Sequence, residues 1–134
     1  MALRHAQLPD VIRIGPLGPA VKGAVSTSLL KTDRLQLLHL VLPAHRDQPE
    51  HHVDDECTIQ CLEGKVEVRM PGGVRALDPG QLVVLPARQR HALSARTDCA
   101  VLVTLLLRDG DAGNAGGAGN RLTSPDQGPD ASPG

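Results

Sequence analysis

An all-β sandwich or barrel is the fold class this sequence predicts, and three observations predict it. Short apolar runs recur along the chain, and glycine, proline or acidic turn signals separate them. No stretch carries the i, i+3, i+4 apolar spacing of an amphipathic helix. Runs of this length and punctuation suit a series of antiparallel hairpins.

Residues 1–24 are broken by Pro9, Gly15, Pro16, Gly18, Pro19 and Gly23, and read as an irregular flexible arm with one edge strand at Val11-Ile12-Arg13-Ile14. Residues 25–31 and 34–42 read as strands joined at Thr32-Asp33, and Pro43 stops the second. The polar interval 43–55 reads as a loop. Residues 58–62 and 65–70 flank Glu63-Gly64. In the second run Val66, Val68 and Met70 alternate with Lys65, Glu67 and Arg69, so this hairpin has one wet face. Turns at Pro71-Gly72-Gly73 and Asp78-Pro79-Gly80 bound strands at 74–77 and 81–85, and strands at 91–95 and 99–107 complete the series. Residues 25–107 are thus the expected barrel domain. Residues 108–134, rich in Gly, Asp, Ser and Pro, carry too little apolar surface to offset the entropy of ordering them and read as a disordered tail.

A chain of 134 residues is expected to make one domain. It contains no Phe, Tyr or Trp, so Leu and Val must fill the core that rings fill elsewhere. The net charge of −1, with dispersed Lys and Arg, builds no basic stripe and sets aside nucleic acid and anionic membranes as partners. No apolar run is long enough to cross a bilayer. Three cysteines, an odd count, and no apolar leader after Met1 point to a reduced, cytoplasmic protein without a disulfide framework.

Chemistry concentrates between Glu50 and Cys57, where imidazole, carboxylate and thiol groups crowd just ahead of an apolar strand. His51 and His52 are adjacent, so on an extended chain only one of them can face inward. Downstream, His91 opens a second strand after a proline-bounded turn. Cys57 and Cys61 share a strand face but lie about 13 Å apart, too far for a disulfide within that strand. Cys61 and Cys99 read as small buried hydrophobes; for Cys57 that reading stands level with a thiolate ligand or nucleophile.

These two stretches resemble the paired motifs of the cupin superfamily, G-x5-H-x-H-x(3,4)-E-x6-G and G-x5-P-x-G-x2-H-x3-N. Gly80, Pro86 and His91 match the second, with Arg88 at its second glycine and Ala95 at its asparagine. In the first, Gly64 sets the register and Cys57 occupies the glutamate position. Its two histidine positions fall on Glu50 and His52 with the longer spacing, or on His51 and Val53 with the shorter. The resemblance implies a small antiparallel cupin β-barrel of the jelly-roll type, assembled as a homodimer, with a divalent metal inside it. The coordination pool is His51, His52, His91, Cys57 and Glu50, and the ion is Fe, Mn, Ni, Cu or Zn. Gln60, in the familiar Thr58-Ile59-Gln60-Cys61-Leu62-Glu63-Gly64 pattern, and Arg88, at the expected mouth, are the residues for a small-molecule ligand. Arg88 also predicts backbone strain of about 1 kcal/mol if the turn keeps the positive φ of the glycine it replaces.

Three functional classes follow. One is a metal-dependent small-molecule protein with oxygenase- or isomerase-type chemistry; one is a binding or sensing barrel without metal; one is a structural dimeric module.

Overall fold

In a computed structural model, which describes residues 5–107, nine strands form two facing antiparallel sheets. They are β1 (Thr27–Lys31), β2 (Leu35–Leu42), β3 (Asp47–His51), β4 (Cys57–Glu63), β5 (Val66–Met70), β6 (Gly73–Leu77), β7 (Leu82–Leu85), β8 (His91–Ala95) and β9 (Cys99–Leu106). The five-stranded sheet has the order β1-β2-β9-β4-β7, and the four-stranded sheet the order β3-β8-β5-β6. The chain crosses between the sheets at most of its connections, which is the jelly-roll arrangement expected from the sequence. The disordered tail read at 108–134 lies outside the described residues.

Pleating decides which side chains fill the space between the sheets. Leu38 and Leu40 of β2, Ile59 of β4 and Val101, Val103 and Leu105 of β9 enter from one side, and Val66, Val68, Leu77 and Leu93 enter from the other. Cys57, Cys61 and Cys99 join them, all buried. With no Phe, Tyr or Trp available, aliphatic chains and sulfur make the hydrophobic cluster of the packed layer.

β4 and β5, expected from the sequence to pair as a hairpin, lie in different sheets, and the turn that joins them is at Gly64, whose φ is +75°. A Cβ there would collide with the Asp98 carbonyl oxygen and lie 2.8 Å from both Cys99 Cβ and Thr97 Oγ1. Glycine is therefore required twice, by backbone angle and by space. Arg88 has φ +61°, as its substitution for glycine predicts, and His45 has φ +66°.

Two further expectations are corrected. The interval 43–55 is not all loop, since it contains β3, an edge strand whose Pro49 and exposed polar residues disguise it. The arm forms no strand at 11–14 among the described residues. Pro9 and Pro16 bracket that run, and the arm touches the β1 edge by one backbone bond, Ala6 N–H to the Leu29 carbonyl at 2.8 Å. Its second anchor is a carboxylate. The Leu17 and Gly18 N–H groups donate to the two Glu63 oxygens at 2.5 and 2.8 Å, just before a short 3₁₀ turn (Gly18–Val21).

Two charge-assisted bonds to one carboxylate make Glu63 the latch of the arm. Glu63→Ala is expected to lower unfolding stability by about 1–3 kcal/mol and to expose residues 5–24 to limited proteolysis. An unchanged cleavage rate would show that the arm is held elsewhere.

Candidate functional site

The site begins with an irregularity in β3. This strand pairs with β8 as Asp47 to Ser94, Gln48 to Leu93 and His51 to His91, so β3 spends three residues where β8 spends two. That bulge brings Gln48 and His51, which a regular pleat would send to opposite faces, onto the inner face opposite Leu93 and His91. Pro49 sits within the bulge, where its missing N–H costs no ladder bond.

His51 and His91 face each other with ring centroids 4.4 Å apart and planes inclined at 59°. Each ring is oriented by a backbone carbonyl two residues earlier. His51 Nδ1 lies 3.1 Å from the Pro49 oxygen, and His91 Nδ1 lies 2.9 Å from the Gln89 oxygen. A carbonyl only accepts, so both Nδ1 atoms carry the proton and both Nε2 atoms keep a lone pair. Burial pushes the His51 imidazole down to about 4, with nearby His91 and His52 adding to the effect and the Pro49 carbonyl opposing it. Burial also lowers His91, against the Gln89 carbonyl. Both rings are therefore neutral near pH 7.

They border a cavity of about 10 Å³ whose other polar walls are Gln48 and Cys57; the rest is Leu, Ile and Val. That volume holds about one water molecule. Gln48 Oε1 is buried there without a hydrogen-bond partner, the one such side-chain atom among the described residues. Leaving a buried amide oxygen unpaired costs about 1–3 kcal/mol, so an occupant with a proton or positive charge to share would be favoured beside it. The Cys57 thiol, pushed up to about 11 by burial, is uncharged.

The structure thus selects among the residues singled out by sequence. His51, Val53, Cys57 and His91 all line the cavity, which is the shorter motif spacing. Glu50 and His52 do not line it; flanking His51 in the chain, both are exposed, and Glu50 pairs with Arg90 at 2.9 Å. Gln60 alternates with buried Ile59 and Cys61, so it faces out of the barrel and not into the pocket. Arg88 is exposed in the β7–β8 turn, its N–H bonded to the Val53 carbonyl at 2.9 Å. Gln48 was missed, because strict alternation places it opposite His51 and only the bulge reverses that. Among the described residues, no three His, Cys, Asp or Glu side chains converge as a metal cluster. Two imidazoles, one amide and one thiol are the polar groups that line the cavity.

No family model matches the chain, and no curated protein matches it by sequence. Solved structures do match by shape. A cupin superfamily protein from Desulfitobacterium hafniense superposes with a TM-score of 0.63 at 19% identity, covering 77% of this chain and 100% of that one. KdgF from a Halomonas species gives 0.57 at 23% identity over 64% of this chain and 82% of its own. The DMSP lyase DddQ from Ruegeria pomeroyi gives 0.57 at 26% identity over 63% of this chain and 47% of its own. These likenesses establish a cupin fold.

The neutral His51 ring carries a pH signature. The unfolded imidazole takes up its proton near pH 6.5, the folded one only near 4, so the unfolded state binds more protons in that window. Stability should be full above about pH 6.5 and fall as pH drops toward 4, by up to roughly 3 kcal/mol from this residue. Denaturant titrations at pH 7, 6 and 5 should show a smaller loss in His51→Gln; equal slopes would place the acid sensitivity elsewhere.

Proposed function

We propose that this cupin-fold chain holds a first-row transition-metal ion at the centre of its barrel, with His51 and His91 as ligands and Gln48 Oε1 as the third donor. The observation that carries this reading is the orphaned Gln48 oxygen, set beside two imidazoles whose Nδ1 protons are already tied to carbonyls. Such backbone bonds are how metal-binding histidines are usually fixed in tautomer and direction. The cavity volume favours a small resident. About 10 Å³ suits an ion or a water.

When bound, such an ion supplies a Lewis-acid or dioxygen-binding position, the chemistry of isomerases and oxygenases. A small-molecule ligand would approach from the mouth. There exposed Arg88 would offer its guanidinium to an anionic group, while Arg90 is occupied by Glu50. The apolar cavity walls would keep water from the reacting atoms. Without a metal, the same geometry serves a ligand-binding or structural barrel, a reading favoured by Val53 and Cys57 standing at two of the motif's ligand positions.

Homodimerisation is proposed through the outer face of the five-stranded sheet. Leu82, Val84 and Leu106 are 53%, 56% and 44% exposed there, alongside Thr58, Gln60 and Leu102, and none of these is charged. Uncharged faces with several exposed apolar side chains are often covered by a partner, and a two-fold pairing of like faces closes one.

Elemental analysis of protein purified without chelator or nickel resin tests the metal centre. About one equivalent of a transition metal per chain is expected, and none in His91→Ala; a metal-free parent, even after reconstitution, would sink the proposal. For the dimer, light scattering should give twice the chain mass for the parent and one chain mass for Leu82→Asp/Val84→Asp, and a monomeric parent would refute it.

A further inference from the structure

The arm and the β1 edge form another concave site, which shares no lining residue with the His51–His91 cavity. Asp10, Ile12 and Arg13 of the arm and Thr27, Ser28 and Leu29 of β1 border an open cleft of about 380 Å³. Small-molecule sites span about 300–1,000 Å³, so this cleft has the size of one. We propose that it binds a small zwitterion of the amino-acid class. Asp10 receives the ammonium group, Arg13 the carboxylate, and Ile12 and Leu29 the apolar side chain.

The cleft is built before any ligand arrives. Its two walls are joined by the Ala6 N–H bond to the Leu29 carbonyl and by His5 Nε2, which lies 2.8 Å from Ser28 Oγ. Gln36 Nε2 donates to the same hydroxyl oxygen at 3.0 Å, so Ser28 is a fixed polar point on the β1 wall. Asp10 is held as well. Gln7 N–H donates to its Oδ2 at 2.8 Å, and Asp10 N–H returns a bond to the Gln7 carbonyl at 2.6 Å. The other carboxylate oxygen takes no hydrogen bond among the described residues. An exposed side chain ordered in this way loses less freedom when a ligand binds.

Charge selects the class of ligand. Asp10 and Arg13 line one cleft with opposite signs, and among the described residues no ion pair joins them. An anion would meet Arg13 but be repelled by Asp10, and a cation the reverse. A neutral polar molecule would displace water from both charges and return no charge to either. A molecule that carries an ammonium and a carboxylate close together answers both. Its remainder faces Ile12, Leu29 and Val11, the last fully exposed at the rim, so an aliphatic side chain fits better than a charged one.

The test titrates the full chain with three probes: L-leucine carries both charges, N-acetyl-L-leucine the negative one alone, and isoamylamine the positive one alone. Binding is followed by the carbon-bound imidazole proton resonances. One leucine per chain should bind with a Kd of about 0.1–10 mM, as suits so few atoms held by exposed charges. It should bind at least about threefold more tightly than either analogue. The His5 resonances should move, and those of His51 and His91 should not. Asp10→Asn, which keeps an oxygen for the Gln7 N–H, should erase the advantage of leucine over N-acetyl-leucine. Arg13→Gln should erase its advantage over isoamylamine.

No saturable leucine binding in that range would overturn the proposal, and so would equal affinity of the parent for leucine and either analogue, a comparison that needs no variant. Shifts at His51 and His91 with His5 unmoved would place the ligand at the barrel centre and overturn it too. The metal centre proposed above stands or falls independently of each of these outcomes.

Discussion

The site depends on one extra residue in β3. An edge strand that paired regularly with β8 would carry either Gln48 or His51 inward, and the bulge carries both. It also makes Pro49 tolerable and aims the Pro49 carbonyl at His51 Nδ1. The facing rings, the fixed tautomer and the unpaired amide oxygen all follow from that local irregularity, which the pairing of the neighbouring β5 and β8 holds in place.

The remainder of the barrel serves as a rigid frame for this contact. Away from the His pair the two sheets meet through aliphatic and sulfur side chains, and the tight turn at Gly64, closed against Asp98 and Cys99, joins β4 of one sheet to β5 of the other. The His pair sits at the end of the frame nearest the β3–β4 and β7–β8 connections. Burial there does the electrostatic work: it keeps both imidazoles neutral and the Cys57 thiol protonated, so the cavity carries no charge of its own.

Much of this was legible in the sequence. The strands from 58 onward are alternating or apolar runs between glycine and proline turns, and each appears close to where its pattern puts it. Gly64, Gly80, Pro86 and His91 kept the motif register, and Arg88 shows the positive φ that its glycine position implied. What stayed hidden has a physical cause. β3 is polar because it lies at a sheet edge, so periodicity cannot reveal it, and a bulge leaves no mark in composition. The choice between His51 and His52, and the presence of Gln48, both turn on that bulge.

The absence of Phe, Tyr and Trp, first met as a packing problem, has a spectroscopic side. In this cavity the only planar rings are those of His51 and His91. Ring-current displacement of the methyl signals from Leu40, Val53, Ile59 and Leu93 must originate in those two imidazoles, because nothing else along the walls can cause it. The barrel therefore contains its own unlabelled reporter, in which the position of a handful of methyl lines reads out the tilt and separation of one pair of side chains.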